Sequence, residues 1–278
     1  MNDNVTTIIE DWVSSVPTVY LKLKKALEDP DCSFDDFAHI LSADAALCGR
    51  VLKIVNSAFF GFSAKIETVT HALNILGTEQ LNELALAVSV MGKFKGIPED
   101  LVTMDSFWRH SIACGVISRK IASDFKLANS ERYYVVGLLH DIGSLIIYKK
   151  TPDAERKVLQ ECAETNTNLF KVETKTFGFD HADVGGALLQ SWKLSDNLYR
   201  AVLCHHYPEG SQLDIPLAEV IHIADSVAYD MGLGNSGERS TPDLDLSICE
   251  GLGIEPSYLQ DFRADVVQEY ELALSLFL

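Results

Sequence analysis

Residues 137–148 read GLLHDIGSLIIY, an apolar run interrupted by one adjacent polar pair, His140 and Asp141. Burying an imidazole and a carboxylate among apolar side chains is costly unless hydrogen bonds, other charges or a metal ion compensate them. Gly143 and Ser144 follow the pair. The chain must therefore fold so that further polar groups or an ion meet this pair inside the core.

Apolar residues recur with helical spacing along most of the chain. Ser33 and Asp36 form the capping-box pattern of a helix start, and Gly77 is typical of a helix end. No alternation of apolar and polar residues is long enough to predict a sheet, so the predicted fold class is all-α. The main predicted helices are 17–28, 45–55, 68–76, 78–94, 105–125, 130–150, 180–192, 195–207 and 215–231, with loops at 56–67 and 231–245.

The segment GKFKGIPED, residues 92–100, contains two glycines, a proline and charges of both signs. Such a composition is typical of a boundary between compact parts of a chain. A chain of 278 residues is long enough for one large domain or two smaller ones. We therefore predict a helical subdomain over 1–97 and a second helical subdomain over 98–278.

The charge balance limits the partners of the protein. Forty acidic residues against 23 basic ones give a net charge of −17, which argues against binding to nucleic acid or to anionic lipid. The six cysteines form no CxxC pair, which fits a reducing compartment. The first residues show no signal-peptide pattern, and no apolar run approaches membrane-spanning length. We expect a cytoplasmic protein with neither nucleic acid nor membrane as partner.

Residues of the kind that bind transition metals recur on separate predicted helices of the second part. They are His110, His140, Asp141, His181, His205, His206 and Asp225. Imidazole nitrogens and carboxylate oxygens together suit Fe, Mn, Zn or Ni. The pattern indicates a divalent transition-metal site with one or two ions.

In the two-ion form, Asp141 bridges the ions and is the candidate catalytic residue. One ion has His110, His140, Asp141 and Asp225 as ligands, and the other has Asp141, His181 and His205, with His206 as a further candidate. Two neighbouring ions suit the hydrolysis of phosphate esters by an activated water molecule. Gly185, one helical turn after His181, leaves room for a ligand or another helix to approach.

Each histidine taken alone has a simpler interpretation, because most buried histidines are core residues that hydrogen-bond a carbonyl. His39 and His71 illustrate it, since they lie in the first part, away from the motifs. His222 lies three residues before Asp225 and is either a partner of a ligand or a core residue.

The order H…HD…H…HH…D resembles that of the HD superfamily of metal-dependent phosphohydrolases. Within it, the chain resembles the HDOD domain, the HD-related output domain of bacterial signalling proteins, over about residues 10–230. The matching blocks are SVPTVYLKLKKALEDPDCSFDDFAHILSADAALCGRVLKIVNSAFFGF, ALNILG, WRHS, LLHDIG, FGFDHADVGGALLQSW and HHYPEG. The resemblance implies an all-α fold, with an HD-type helical bundle in the second part, and a bacterial cytoplasmic regulator.

Two departures from related proteins bear on activity. Many HDOD proteins have lost metal ligands and act as non-catalytic modules, whereas the full set is present here, which favours metal binding. Cyclic-di-GMP phosphodiesterases of the HD-GYP type carry a lysine after HD-I-G, where this chain has Ser144, and their Gly-Tyr-Pro segment is missing. A lysine there would help to neutralise substrate phosphate. Cyclic-di-GMP hydrolysis is therefore disfavoured.

Three functions remain open on the sequence. The favoured one is a signalling HDOD protein that retains a mono- or dinuclear metal site and acts mainly by binding a signalling protein or a nucleotide-like phosphate ligand. The second is an active metal-dependent phosphohydrolase of unknown substrate, with phosphate contacts from Arg109, Lys193 or Arg200, although exposed helix-surface positions are the commoner role of such side chains. The third is a structural module with a hydrogen-bonded histidine cluster. A homodimer is compatible with the sequence, which shows no interface.

Overall fold

A computed structural model describes residues 3–13, 15–57, 62 and 65–277. All regular structure in these ranges is helical, which confirms the all-α prediction. The first helices are α1 Asp3–Val13, α2 Thr18–Leu27, α3 Phe34–Ser42, α4 Ala45–Val55, α5 Val69–Leu76 and α6 Thr78–Met91. They are followed by α7 Met104–Asp124, α8 Ser130–Leu139, α9 Ile142–Lys150, α10 Pro152–Thr165, α11 Leu169–Phe177, α12 His181–Ser191, α13 Asp196–Leu203 and α14 Leu217–Asp230. The last are α15 Leu246–Gly251, α16 Pro256–Asp261 and α17 Arg263–Phe277.

Backbone contacts divide these helices into two compact units. The smaller unit contains α2–α6 and the end of α17, and the larger unit contains α1, α7–α16 and the start of α17. The border between Phe94 and Lys95 lies inside the predicted boundary segment 92–100. The two ends of the chain differ from the division predicted at residue 97. Helix α1 belongs to the larger unit and the end of α17 to the smaller one, whereas the prediction placed each of them in the other part. The apolar side of α1 is buried in the larger unit, where the backbone oxygen of Trp12 accepts a hydrogen bond of 3.2 Å from Trp192 Nε1.

Local sequence signals act as predicted in the smaller unit. Ser33 Oγ accepts the backbone N–H of Asp36 at 3.2 Å, and the Asp36 carboxylate accepts the N–H of Ser33 at 3.0 Å. Gly77 separates α5 from α6 with a φ of +85°, a conformation that glycine adopts without strain. Part of the predicted loop 56–67, namely 58–61, 63 and 64, lies outside the described residues.

One departure from the predicted helices occurs at the metal motif. The segment 130–150, predicted as one helix, is divided into α8 and α9, with His140 and Asp141 at the break. Asp141 has a φ of −97° and a ψ of 10°, outside regular helical values. The break lets both neighbouring side chains face one cluster. On a regular helix, adjacent side chains point about 100° apart and would face it less well.

Two glycines allow α9 and α12 to cross closely beside this break. A Cβ atom on Gly143 would collide with the backbone oxygen of His181 and lie 2.6 Å from the nitrogen of Gly185. A Cβ on Gly185 would lie 3.1 Å from Val202. The predicted close approach at Gly185 is thus a contact between helices, and it holds Asp141 and His181 near each other.

Two further observations complete the fold. Helix α11 was not predicted from the sequence. The predicted loop 231–245 contains no helix in the structure, as expected. Among the described residues, no helix combines the length and the apolar character needed to cross a bilayer.

Candidate metal centre

All seven predicted ligands converge in the larger unit although they are far apart in sequence. His110 lies on α7, His140 and Asp141 between α8 and α9, His181 at the start of α12, His205 and His206 after α13, and Asp225 on α14. His206 is partly exposed and the other six are buried. The helix packing therefore assembles the cluster that the motif order suggested.

One side of the cluster combines His110, His140 and Asp225. His110 Nε2 lies 3.0 Å from Asp225 Oδ1, and His140 Nε2 lies 3.8 Å from the same oxygen. Cys114, which sequence reasoning did not single out, places its Sγ 3.5 Å from His110 Nε2. Potential ligand atoms of these four residues lie within 4.8 Å of one another, so they can share one ion.

The other side of the cluster combines His181, His205 and His206. His181 Nε2 and His206 Nε2 are 2.8 Å apart. The potential ligand atoms of the three histidines again lie within 4.8 Å of one another. The ring of His206 also stacks on Phe170 of α11, with centroids 4.2 Å apart, which fixes its orientation.

Asp141 joins the two sides through separate oxygens. Its Oδ2 lies 3.1 Å from His140 Nε2 and 3.6 Å from His110 Nε2. Its Oδ1 lies 3.4 Å from His181 Nε2 and 3.6 Å from His205 Nε2. This is the arrangement expected of a carboxylate that bridges two ions.

Backbone hydrogen bonds orient two of the rings toward the cluster. His140 Nδ1 donates to the Gly137 oxygen at 2.8 Å, and His205 Nδ1 donates to the Val202 oxygen at 2.7 Å. The Nε2 atoms then face the cluster, where neither makes a hydrogen bond of good geometry with the described residues. Bonds of about 2.1 Å to one ion place neighbouring ligand atoms about 3 Å apart, so the donors present fit a divalent transition metal.

Without a metal, the charges of the cluster balance one another: burial opposes protonation of His140, but Asp141 raises the pKa of its imidazole to about 10, so an incoming cation has to displace a proton from it. Burial opposes ionisation of Asp141, but His140 and His181 hold the pKa of this carboxyl well below its usual range. Burial lowers the pKa of His205 to about 3, and the neighbouring His140 acts in the same direction. The His205 imidazole is therefore neutral and the Asp141 carboxyl ionised, which are the forms that bind metal ions.

Glu173 of α11 supports the cluster and was missed in the sequence. Its Oε2 accepts both the backbone N–H of His181, at 2.9 Å, and the ring Nδ1–H, at 2.6 Å. The side chain is fully buried. The contact directs His181 Nε2 toward Asp141. Glu173 belongs to no sequence motif, and its helix was not predicted. Its role became visible only from the position of α11 in the fold.

The other candidate residues lie elsewhere. His39 and His71 are exposed in the smaller unit. His222 donates from Nδ1 to the backbone oxygen of His205 at 3.0 Å and accepts the N–H of Asp245 at 3.3 Å, so it contacts the backbone of a ligand. Ser144 is buried on α9, where a lysine would have to be buried as well.

The cationic candidates do not face the cluster's cavity. Arg109 pairs with Asp105 at 2.7 Å on the surface of α7. Arg200 lines a different cleft, together with Tyr199 and Leu203. Within the part of the chain that the structure describes, neither arginine nor Lys193 lines the cavity next to the cluster.

That cavity has a volume of about 390 Å³. Asp225 from one side of the cluster and His206 from the other both line it. Phe170 and Tyr207 contribute aromatic walls, and residues 242–245 form another wall. A ligand in the cavity can therefore reach both groups of metal-binding side chains.

A buried acid behind the cluster makes stability depend on pH. Glu155 is fully buried, and neither of its carboxyl oxygens has a hydrogen-bond partner among the described residues. Burial, reinforced by Glu173, raises its pKa from 4.5 to about 9. The folded state thus keeps a proton that the unfolded state releases above pH 4.5, and stability falls as pH rises toward 9.

Glu155→Gln is expected to remove this dependence. Its stability gain over the wild type should grow by about 1.4 kcal/mol per pH unit between pH 6 and 8, as measured by urea unfolding. Glu164→Gln, on the exposed surface of the same helix, is the control and should show no such trend. A gain that stays constant with pH would show that Glu155 is ionised in the folded protein.

The fold and the cluster together define an HD-type helical protein with a candidate metal centre. The HDOD domain model matches residues 13–208. The chain belongs to the HDOD domain family, as its motifs predicted.

Relatives extend the similarity over most of the chain. An uncharacterized protein of Treponema pallidum is 26 % identical over 219 residues, which cover 77 % of this chain and 42 % of that protein. The chain thus spans about two-fifths of the length of this curated relative.

Solved structures share the whole fold. A Geobacter sulfurreducens HDOD domain protein with unknown function has a TM-score of 0.74 at 24 % identity, with 99 % of each chain covered. A candidate phosphohydrolase from Shewanella amazonensis has a TM-score of 0.72 at 23 % identity, covering 97 % of this chain and 98 % of that one.

Proposed function

We propose that this HDOD protein is a bacterial signalling regulator that binds one or two divalent transition-metal ions in the cluster and holds a phosphate-bearing ligand there. The observation that carries the proposal is the position of Asp141, whose two oxygens each face two imidazoles. The unpartnered Nε2 atom of His205 supports it, because a buried lone pair without a partner is costly unless an ion uses it.

The residues divide the work between holding ions and admitting the ligand. His110, His140 and Asp225 would hold one ion, His181, His205 and His206 the other, and Asp141 would contact both. A bound divalent ion polarises phosphate oxygens and activates water as a Lewis acid. Asp225 and His206 also line the cavity, so a phosphate that enters it arrives at both groups of ligands.

A metal-dependent phosphohydrolase is the second candidate function. The access of one cavity to both sides of the cluster favours it, because ester hydrolysis at two ions needs the phosphate between them. The similar Shewanella amazonensis structure is described as a candidate phosphohydrolase. Against it, Ser144 supplies no cation beside the motif. In this function Asp141 is the catalytic residue, since it positions both ions.

Metal analysis tests the site directly. Protein purified without chelator or histidine tag is expected to contain about one to two equivalents of Fe, Mn, Zn or Ni by elemental analysis. Asp141→Asn, which keeps the shape but loses the charge, should lose most of this metal. His71→Ala removes an exposed histidine from the smaller unit and should retain it.

Two results would reject parts of the proposal. A wild-type protein that stays metal-free after reconstitution with Fe²⁺, Mn²⁺, Zn²⁺ and Ni²⁺ in turn would reject the metal site. If metal is bound, a phosphoester screen separates the two functions. Turnover that disappears in Asp141→Asn would establish the hydrolase, and binding without turnover would establish the ligand-holding regulator.

A further inference from the structure

The cavity beside the cluster has strongly acidic walls. Besides the candidate metal ligand Asp225, its acidic lining residues are Glu209, Glu238, Asp243 and Asp245. Lys171 is the lysine among the lining residues, and its Nζ lies 2.8 Å from Asp243 Oδ2 and 3.2 Å from Asn168 Oδ1. A second phosphate group in this cavity would therefore meet carboxylates, and the lysine it meets is already ion-paired.

Aromatic rings line the same cavity. Tyr207 is 56 % exposed there, and its ring meets Phe170 edge-on with centroids 5.4 Å apart. The Lys171 ammonium already lies 5.4 Å from the centroid of the Phe170 ring. Since the Phe170 ring is already in contact with Lys171 and with the stacked ring of His206, Tyr207 is the ring that offers a face to a ligand's ammonium group.

The lining of the cavity thus combines two kinds of chemistry. Asp225 and His206 are candidate metal ligands, beside which a phosphate would be held. Tyr207 and Glu209 stand after α13, on the exposed side, where a cation is favoured. The volume of about 390 Å³ is near the lower end of the range of about 300–1,000 Å³ for ligand sites, so the ligand is small.

We infer that the ligand of this cavity is a small phosphate monoester whose alcohol part carries an ammonium group. The inference rests on the proposed function, because the phosphate end needs the metal ions. It disfavours nucleoside polyphosphates and cyclic dinucleotides, since their further phosphates would face the acidic wall. The inference replaces the nucleotide-like ligand expected from the sequence with a smaller, zwitterionic phosphate monoester.

A pair of non-hydrolysable phosphonates tests the inference. Aminoethylphosphonate and ethylphosphonate share the phosphonate end and differ in the ammonium group. Calorimetric titration of the Mn²⁺-loaded full chain should show about fivefold tighter binding of the amine, from a carboxylate contact and a cation–π contact together. 3-Phosphonopropionate, with a carboxylate in place of the ammonium group, should bind more weakly than the amine.

Glu209 is the carboxylate to vary. Glu238 accepts the backbone N–H of Leu169 and Asp245 accepts that of Ser247, so changes at these two acids would disturb the backbone. Glu209 is exposed on the short turn Pro208–Gly210. Glu209→Gln should reduce the preference for the amine by about half or more, and Glu209→Lys should abolish it. Glu250→Gln, exposed on α15 and outside the cavity lining, should leave the preference unchanged.

The outcomes separate this inference from the proposed function. Tighter binding of the amine that depends on Glu209 supports it. Equal affinities for the amine and for ethylphosphonate would reject the ammonium-bearing ligand. The same holds if no phosphonate binds to protein shown to contain Mn²⁺. Neither result would affect the metal site. Failure to load any of Fe²⁺, Mn²⁺, Zn²⁺ and Ni²⁺ rejects the proposed function and, with it, the inference.

Discussion

Gly143→Ala is expected to destabilise the protein by about 3 kcal/mol or more, because the added methyl group meets backbone atoms that cannot move aside. It would collide with the His181 oxygen and lie 2.6 Å from the Gly185 nitrogen. Helices α9 and α12 would have to separate, and Asp141 and His181 would move apart with them. Urea unfolding should report the loss, and metal content should fall in the same variant.

Gly49→Ala is the matched control for this change. Gly49 is exposed within α4, and a Cβ atom there would meet nothing within 4 Å. The same substitution should therefore stabilise the protein by about 0.5–1 kcal/mol through the higher helix propensity of alanine. A Gly143→Ala protein as stable as the wild type would mean that α9 and α12 do not pack as closely as described.

Glu173→Gln is expected to weaken metal binding by about tenfold, and Glu173→Ala by up to about a hundredfold. Glutamine still accepts a hydrogen bond from His181 Nδ1 but lacks the negative charge that makes the ring a stronger ligand. Competition with a chromophoric chelator measures the affinity. The visible spectrum of the Co²⁺-loaded protein should change with it, because the geometry of His181 changes.

Unfolding of the metal-free protein distinguishes two roles of Glu173, namely the orientation of the metal ligand His181 and a contribution to folding alone. The unfolding midpoint without metal should fall in Glu173→Gln, because its buried contact with His181 loses the charge of the carboxylate. Metal affinity, measured where the variant is fully folded, should fall in addition. Glu164→Gln again serves as the control and should alter neither quantity. If the variant loses metal affinity only in proportion to a lower metal-free stability, Glu173 acts on folding alone.

Much of the local structure follows from the sequence. Ser33 with Asp36 and Gly77 act at the positions predicted for them, because caps and left-handed turns depend on a few neighbouring residues. The ligand-type residues could likewise be named in advance, since imidazole and carboxylate groups in apolar surroundings demand compensation. The roles of His110, His140, Asp141, His181, His205, His206 and Asp225 as metal ligands stay a prediction until metal is measured.

Other features depended on contacts between distant segments. The break between α8 and α9 was not predicted, because the apolar pattern continues through His140 and Asp141 as it would in one helix. Helix α11 was also missed, and with it Glu173, whose importance comes from its 2.6 Å contact with His181.

The sequence by itself determined the all-α class, the family and the chemical kind of side chains that the core must accommodate. Each of these depends on residue type and on spacing along the chain. Only the tertiary structure decided that separate oxygens of Asp141 face the two sides of one cluster and that an acidic, aromatic cavity adjoins both. The physical reason is that distances between side chains on different helices are set by how closely the helices pack, as at Gly143 and Gly185.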